Sequence, residues 1–165
     1  MQLICSDTNI WVDFDKLERM DWPFRLDCTY IISAMAIDDE VLSPADLSEK
    51  LISAGLMAVD MTDAELALLE EYTSKYRRIS TYDAIAMAIS KVRGITLLTG
   101  DKALKNAAKA EGVEVHGLLR IIDQLLDAKL ITATDHDLCM KDLKNNPGGK
   151  FRLPVKEIDL RILDK

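Results

Sequence analysis

Histidine and cysteine are scarce in this 165-residue chain, which has two of the first and three of the second. His116 and His136 stand apart, with neither an HxxxH spacing nor a Cys/His cluster, so a structural zinc is not expected. Cys5, Cys28 and Cys139 form no CxxC and leave one thiol over in any pairing. They read as reduced, mostly buried small apolar residues rather than a disulfide framework. No apolar run approaches the roughly 20 residues of a membrane span, and no basic segment precedes "LIC" as a secretory signal requires. Cytoplasm is the expected location. Basic residues are also in the minority: 21 Lys and Arg against 28 Asp and Glu give a net charge of −7. Phosphate neutralisation drives non-specific nucleic-acid binding, so composition argues mildly against such a role unless local features reverse it.

What is present is an alternation of apolar runs and amphipathic segments. Residues 2–6 read as a buried strand, and 9–19 as a helix with Ile10, Phe14 and Leu17 on one face. Residues 29–37 start strand-like, Ser43-Pro44 begins a helix, and 56–61 is a short strand. Thr62 opens a helix to about Lys75, with Leu66, Leu69 and Tyr72 or Thr73 at helical spacing. Ser80 opens another, whose "AIAMAI" core suits burial on more than one side. Strand 95–99, helix 102–111, strand "VEVHG" and helix 117–128 follow. Repeated β-α order predicts a parallel α/β sheet with helices on both faces. Past residue 130 come a polar helix, a "PGGK" break and a final helix with Pro154 in its first turn. We therefore divide the chain into 1–130 and a C-terminal extension, 131–165.

Four acids stand out in this frame. Asp7 and Asp101 follow predicted strands, where ligands gather at the carboxyl edge of a parallel sheet. Asp83 lies in the first turn of its helix, and Glu49 within "SPADLSEKLI". Carboxylates converging on one edge repel strongly without a cation, and Mg²⁺ or Mn²⁺ suits such oxygen donors. The matching chemistry is phosphodiester hydrolysis by metal-activated water. Each acid also has a structural alternative. Asp83 fits a capping box with Ser80, Asp46 one with Ser43, Asp7 and Asp101 can cap the helices that follow, and Glu49 can lie on a solvated face.

"SDTNIWVDF", "STYDAIAMAIS" and "LLTGDKALKNAAKAEGVEVHG" together resemble the PIN-domain ribonucleases, which include VapC-type toxins, over about residues 2 to 117. The tail "GGKFRLPVKEI" resembles a PIN-like subgroup with a C-terminal extension. The resemblance implies a three-layer α/β/α sandwich with a mainly parallel sheet, an Mg²⁺ or Mn²⁺ requirement, and cleavage of single-stranded RNA. It also implies frequent homodimers and inhibition by an antitoxin protein. Carried onto this sequence, the family acids fall on Asp7, Glu49, Asp83 and Asp101, with Asp46 the competitor for the second. Asn9 and Thr99 fall on the accompanying polar positions. Asp13, one turn after Asn9, is a lesser candidate. Lys102, Lys105 and Lys109 form a basic stripe after Asp101 that can position phosphates, with Lys102 nearest the site, and Arg77 and Arg78 form a second basic group. Trp11 and Trp22 are expected in the core or at a dimer contact. The expected function is a metal-dependent endoribonuclease of toxin type. The alternative, motivated by the acidity and the tail, is a catalytically weak PIN-like binding or regulatory module. A phosphotransfer receiver is disfavoured, because "CSDTN" lacks the paired acids such folds place after the first strand.

Overall fold

A computed structural model describes residues 1–39, 46–146 and 153–164. Strand β1 (Gln2–Ser6) sends alternate side chains to opposite faces, as a period of two requires. Ile4 enters one core and Cys5 another. The neighbouring strands β2 (Cys28–Ser33) and β4 (Thr96–Leu98) repeat the division, with Tyr30, Ile32 and Leu98 on the first side and Ile31 and Leu97 on the second. Strands β3 (Met57–Val59) and β5 (Val115–His116) complete a five-stranded sheet of order β3-β2-β1-β4-β5. All four pairings are parallel, in registers such as Ile4 with Tyr30 and Cys5 with Leu97.

Helices cover both faces. The first core receives α1 (Asn9–Lys16), α3 (Leu47–Ala54), α7 (Leu118–Asp127), α8 (Ala133–Lys144) and α9 (Val155–Asp159). The short α2 (Ala34–Asp39) contributes Ala36 to the same side. The second core receives α4 (Asp63–Lys75), α5 (Thr81–Arg93) and α6 (Lys102–Ala110). The α/β/α sandwich anticipated from β-α repetition is therefore the observed architecture. Trp11 and Trp22 are both buried, and Trp11 stacks on Phe24 with ring centroids 5.2 Å apart. All three cysteines are free thiols.

Local chemistry explains most boundaries. Thr62 and Ser80 each form a complete capping box, with Glu65 and Asp83 respectively, so α4 and α5 start where the sequence predicts. Gly94 ends α5 in the left-handed conformation, at φ 63°. Three expectations change. The first helix stops at Lys16 instead of residue 19, since Glu18 takes a left-handed φ of 57°. Leu66 faces solvent at 45% exposure while Glu65 beside it is fully buried, so Glu65 takes the place of Leu66 on an inward face that keeps Leu69 and Tyr72. Pro154 sits at the N-cap of α9, not in its first turn. The Ser43-Pro44 start and the "PGGK" break lie outside the described residues.

Candidate functional site

The strand order reverses direction between β1 and β4, and the carboxyl ends of strands at such a switch are where open parallel sheets bind ligands. Asp7 follows β1 directly and is 5% exposed. Its Oδ1 accepts the Ile10 N–H at 3.0 Å, and its Oδ2 accepts the hydroxyl of fully buried Thr99, beyond the end of β4. The Thr99 oxygen in turn accepts the Asp101 N–H at 3.0 Å. Asp101 N-caps α6, its Oδ1 accepting the Leu104 N–H at 2.7 Å. Asp83 Oδ2 accepts the Ser80 N–H at 2.8 Å within the capping box. Three of the four expected acids thus have a carboxylate oxygen taken up by a backbone N–H at a helix start.

The acids are also divided between two cavities. Asp7 and Asp83 border one of about 10 Å³ with Ser6, Thr8, Ser33 and Tyr82. Ser33 Oγ in its wall is buried and has no hydrogen-bond partner among the described residues. Asp101 borders another, of about 260 Å³, with Asn9, Asp13, Lys16, Leu118 and Leu153. Glu49 is exposed on α3 and borders neither. Its competitor Asp46 is exposed too, paired with Lys50 at 2.8 Å.

Burial pushes the Asp7 carboxyl up to about 7, although the Thr99 and Ile10 hydrogen bonds pull the other way. Negative charge on Asp83 and Asp13 adds to the rise. Burial likewise raises Asp13 to about 6, against the pull of Lys16. Burial, ahead of any neighbouring charge, is what raises both carboxyls.

That arrangement corrects the metal expectation. Among the described residues, no group of three or more His, Cys, Asp or Glu side chains is placed to hold a metal ion. The Asp7–Asp83 cavity has room for about one water, whereas Mg²⁺ usually keeps several in its shell. Mg²⁺ or Mn²⁺ as cofactor, and with it a metal-dependent ribonuclease, is overturned by this donor geometry. Thr99 holds both Asp7 and the Asp101 loop, so Thr99→Val should cost about 1–3 kcal/mol through the groups it leaves unpaired. Urea unfolding at neutral pH measures it, and an unchanged midpoint would contradict that role.

A larger cleft of about 800 Å³ adjoins the edge at Gly100. Lys102, Lys105, Arg120 and Arg161 line it, and Lys102 and Lys105 form no ion pair among the described residues. Lys105 lies against the start of α7, its Nζ 3.1 Å from where a Cβ on Gly117 would sit. Lys109 is exposed on α6 and does not line the cleft, and Arg77 and Arg78 are exposed before α5.

The sequence matches the family model described as a PIN domain, DUF3368, over residues 3–163. The chain belongs to this PIN-domain family. Its membership extends the resemblance past residue 117 into the C-terminal helices. No curated protein matches it. Among solved structures it is similar to a PilT N-terminus domain protein from the hyperthermophilic archaeon Sulfolobus solfataricus P2, at 13% identity and a TM-score of 0.56. That match covers 76% of this chain and 94% of the other, and it shows a shared fold. PIN-domain membership supports a general role in nucleic-acid processing or its regulation.

Asp13, a lesser candidate on the sequence, lines a cavity with Asp101. The signal was available, because Asn9, Val12, Asp13 and Lys16 recur at helical spacing and line one cavity together. Ser33 and Leu153 carried no such signal.

Proposed function

We propose that this PIN domain is a module that binds single-stranded RNA in a regulatory capacity and has little or no cleavage activity of its own. The observation that carries the reading is the contrast at the sheet edge. Carboxylates at the edge are hydrogen-bonded at helix starts or raised in pKa, while the ammonium groups of Lys102 and Lys105 line the adjoining cleft with no ion pair among the described residues. Lys102, Lys105, Arg120 and Arg161 against Asp123, Asp127 and Glu157 leave this cleft with basic groups in slight excess, in a chain whose net charge is −7, so phosphates would approach here. In this reading exposed Asn9 and Lys102 border the bound strand, buried Thr99 acts only through Asp7 and the Asp101 loop that it holds, Asp7, Asp83 and Asp101 hold the edge in shape, and Glu49 stands apart. Residues 1–130 carry the PIN-like part and 131–165 an extension, of which α8 and α9 pack on it. A partner protein of antitoxin type and a homodimer belong to the same proposal through the family resemblance, and light scattering of the purified chain tests the second. Among the described residues, no helix is long and apolar enough to cross a membrane.

Fluorescence anisotropy with a labelled single-stranded RNA tests the reading. Binding should survive EDTA, and Mn²⁺ should produce no cleavage. Lys102→Ala and Lys105→Ala should each weaken binding and lower the salt slope by roughly 0.7, the share of one single-strand phosphate contact. Absence of binding, or cleavage that EDTA abolishes, would overturn it.

A further inference from the structure

The C-terminal segment lies over the same edge. Leu153 lines the 260 Å³ cavity beside Asn9, Asp13 and Asp101, and it also lines the cleft beside Lys102 and Lys105. Pro154, Glu157 and Arg161 continue that lining, so α9 forms a wall of the cleft. Glu157 brings a carboxylate into the space that holds Lys102 and Lys105, and Asp123 and Asp127 of α7 add two more. The segment's own acid therefore stands where an RNA phosphate would be drawn.

Its attachment is mostly polar. The Asp137 carboxylate accepts the Leu163 and Asp164 N–H groups, each at 2.8 Å. Asp123 takes Arg161 Nε at 2.7 Å and faces His136 Nε2 at 3.2 Å. Lys144 pairs with Asp159 at 2.6 Å. Ile158 is the buried residue of α9, and Leu153 and Ile162 are partly buried against the same core, whereas Val155, Leu160 and Leu163 are 53%, 79% and 59% exposed. An element with little apolar burial and partly exposed ion pairs sits at the low end of local stability, and salt weakens it further.

We propose that residues 153–164 form a strap that closes the cleft and the adjoining sheet edge, and that its release admits the RNA strand. The inference rests on the RNA-binding reading and names its regulation. The Asp137 and Asp123 carboxylates latch the strap, and Leu153 and Glu157 obstruct the site.

Asp137→Ala removes one latch without altering a residue of the cleft. Hydrogen exchange of the α9 amides and anisotropy with labelled single-stranded RNA are measured together, on the full chain. The expected result is faster α9 exchange and RNA binding tighter by roughly tenfold, the factor by which a site open a tenth of the time is weakened. Faster exchange with RNA affinity equal to that of a wild type that does bind overturns the strap and leaves the binding reading standing. Failure of both proteins to bind RNA overturns the binding reading and the strap with it. Leu153→Ser, which keeps both latches, decides the matter if Asp137→Ala does not fold. It should also tighten binding, and unchanged affinity overturns the strap.

Discussion

Asp7→Asn should make the protein more stable at pH 8, by about 2–4 kcal/mol. Asp7 is nearly inaccessible, and burial lifts its carboxyl from 3.8 to about 7. In the unfolded chain the same group ionises near 3.8. Between those two values the folded state binds more protons than the unfolded one, so stability falls as pH rises. Above about 7 the loss is complete and the curve flattens. A rise of that size sets a ceiling of about 4 kcal/mol. Asparagine keeps an acceptor for the Ile10 N–H and removes the charge. Asp13, raised to about 6, contributes a decline of the same sign that ends at lower pH. The Asp13 decline remains in the variant, which should therefore retain a shallower slope ending near pH 6. Urea midpoints at pH 5, 6.5 and 8 measure this. A variant less stable than wild type at pH 8 would show that the ionised carboxylate holds the edge together.

Arg93→Met should destabilise the protein by about 3 kcal/mol, the low end of what breaking a buried ion pair costs, because Glu65 is buried and Arg93 is partly exposed. Glu65 is wholly buried at the start of α4. Arg93 Nε reaches its Oε1 at 2.6 Å and Arg93 Nη2 its Oε2 at 3.2 Å, while the Thr62 N–H reaches Oε2 at 2.8 Å. The same guanidinium donates to the Asp60 carbonyl at 3.0 Å. Burial alone would raise the Glu65 carboxyl, but the Arg93 and Thr62 hydrogen bonds outweigh it and hold the group below its ordinary value. Its contribution is therefore present above pH 4.5 and lost as pH falls below. The Arg93→Met deficit should shrink in acid for that reason, since a neutral Glu65 needs no cation. Arg93→Lys should fall between, keeping charge but losing the fork. Chemical denaturation at pH 7 and pH 4 separates these cases, and an equal deficit at both would point to lost packing of the arginine stem.

The same pair shows where sequence reading stops. Helical spacing identified α4 and its Thr62 cap, yet it turned Leu66 inward instead of Glu65. The inward choice depends on Arg93, 28 residues away, and periodicity contains no term for it. The sheet was legible because strand burial and β-α alternation are local patterns that each strand repeats. The acid edge was legible as a location: Asp7, Thr99 and Asp101 do meet at the switch between β1 and β4. Its chemistry was not legible. Whether a carboxylate faces a cation or a helix start depends on which donors reach it, and the Thr99 hydroxyl comes to Asp7 from 92 positions away. The capping patterns at Ser80 and Asp101 were visible from the start, and they describe the geometry better than a shared metal does.

The division of the molecule by its sheet has one practical consequence. Cys5 lies in the core beneath α5, and Cys139 in the core on the opposite face. Burial pushes both thiols up to about 12, so neither reacts while its layer is closed. Each side of the sandwich thus carries its own native reporter group, and alkylation rates at the two positions time the loosening of one layer against the other without adding a label.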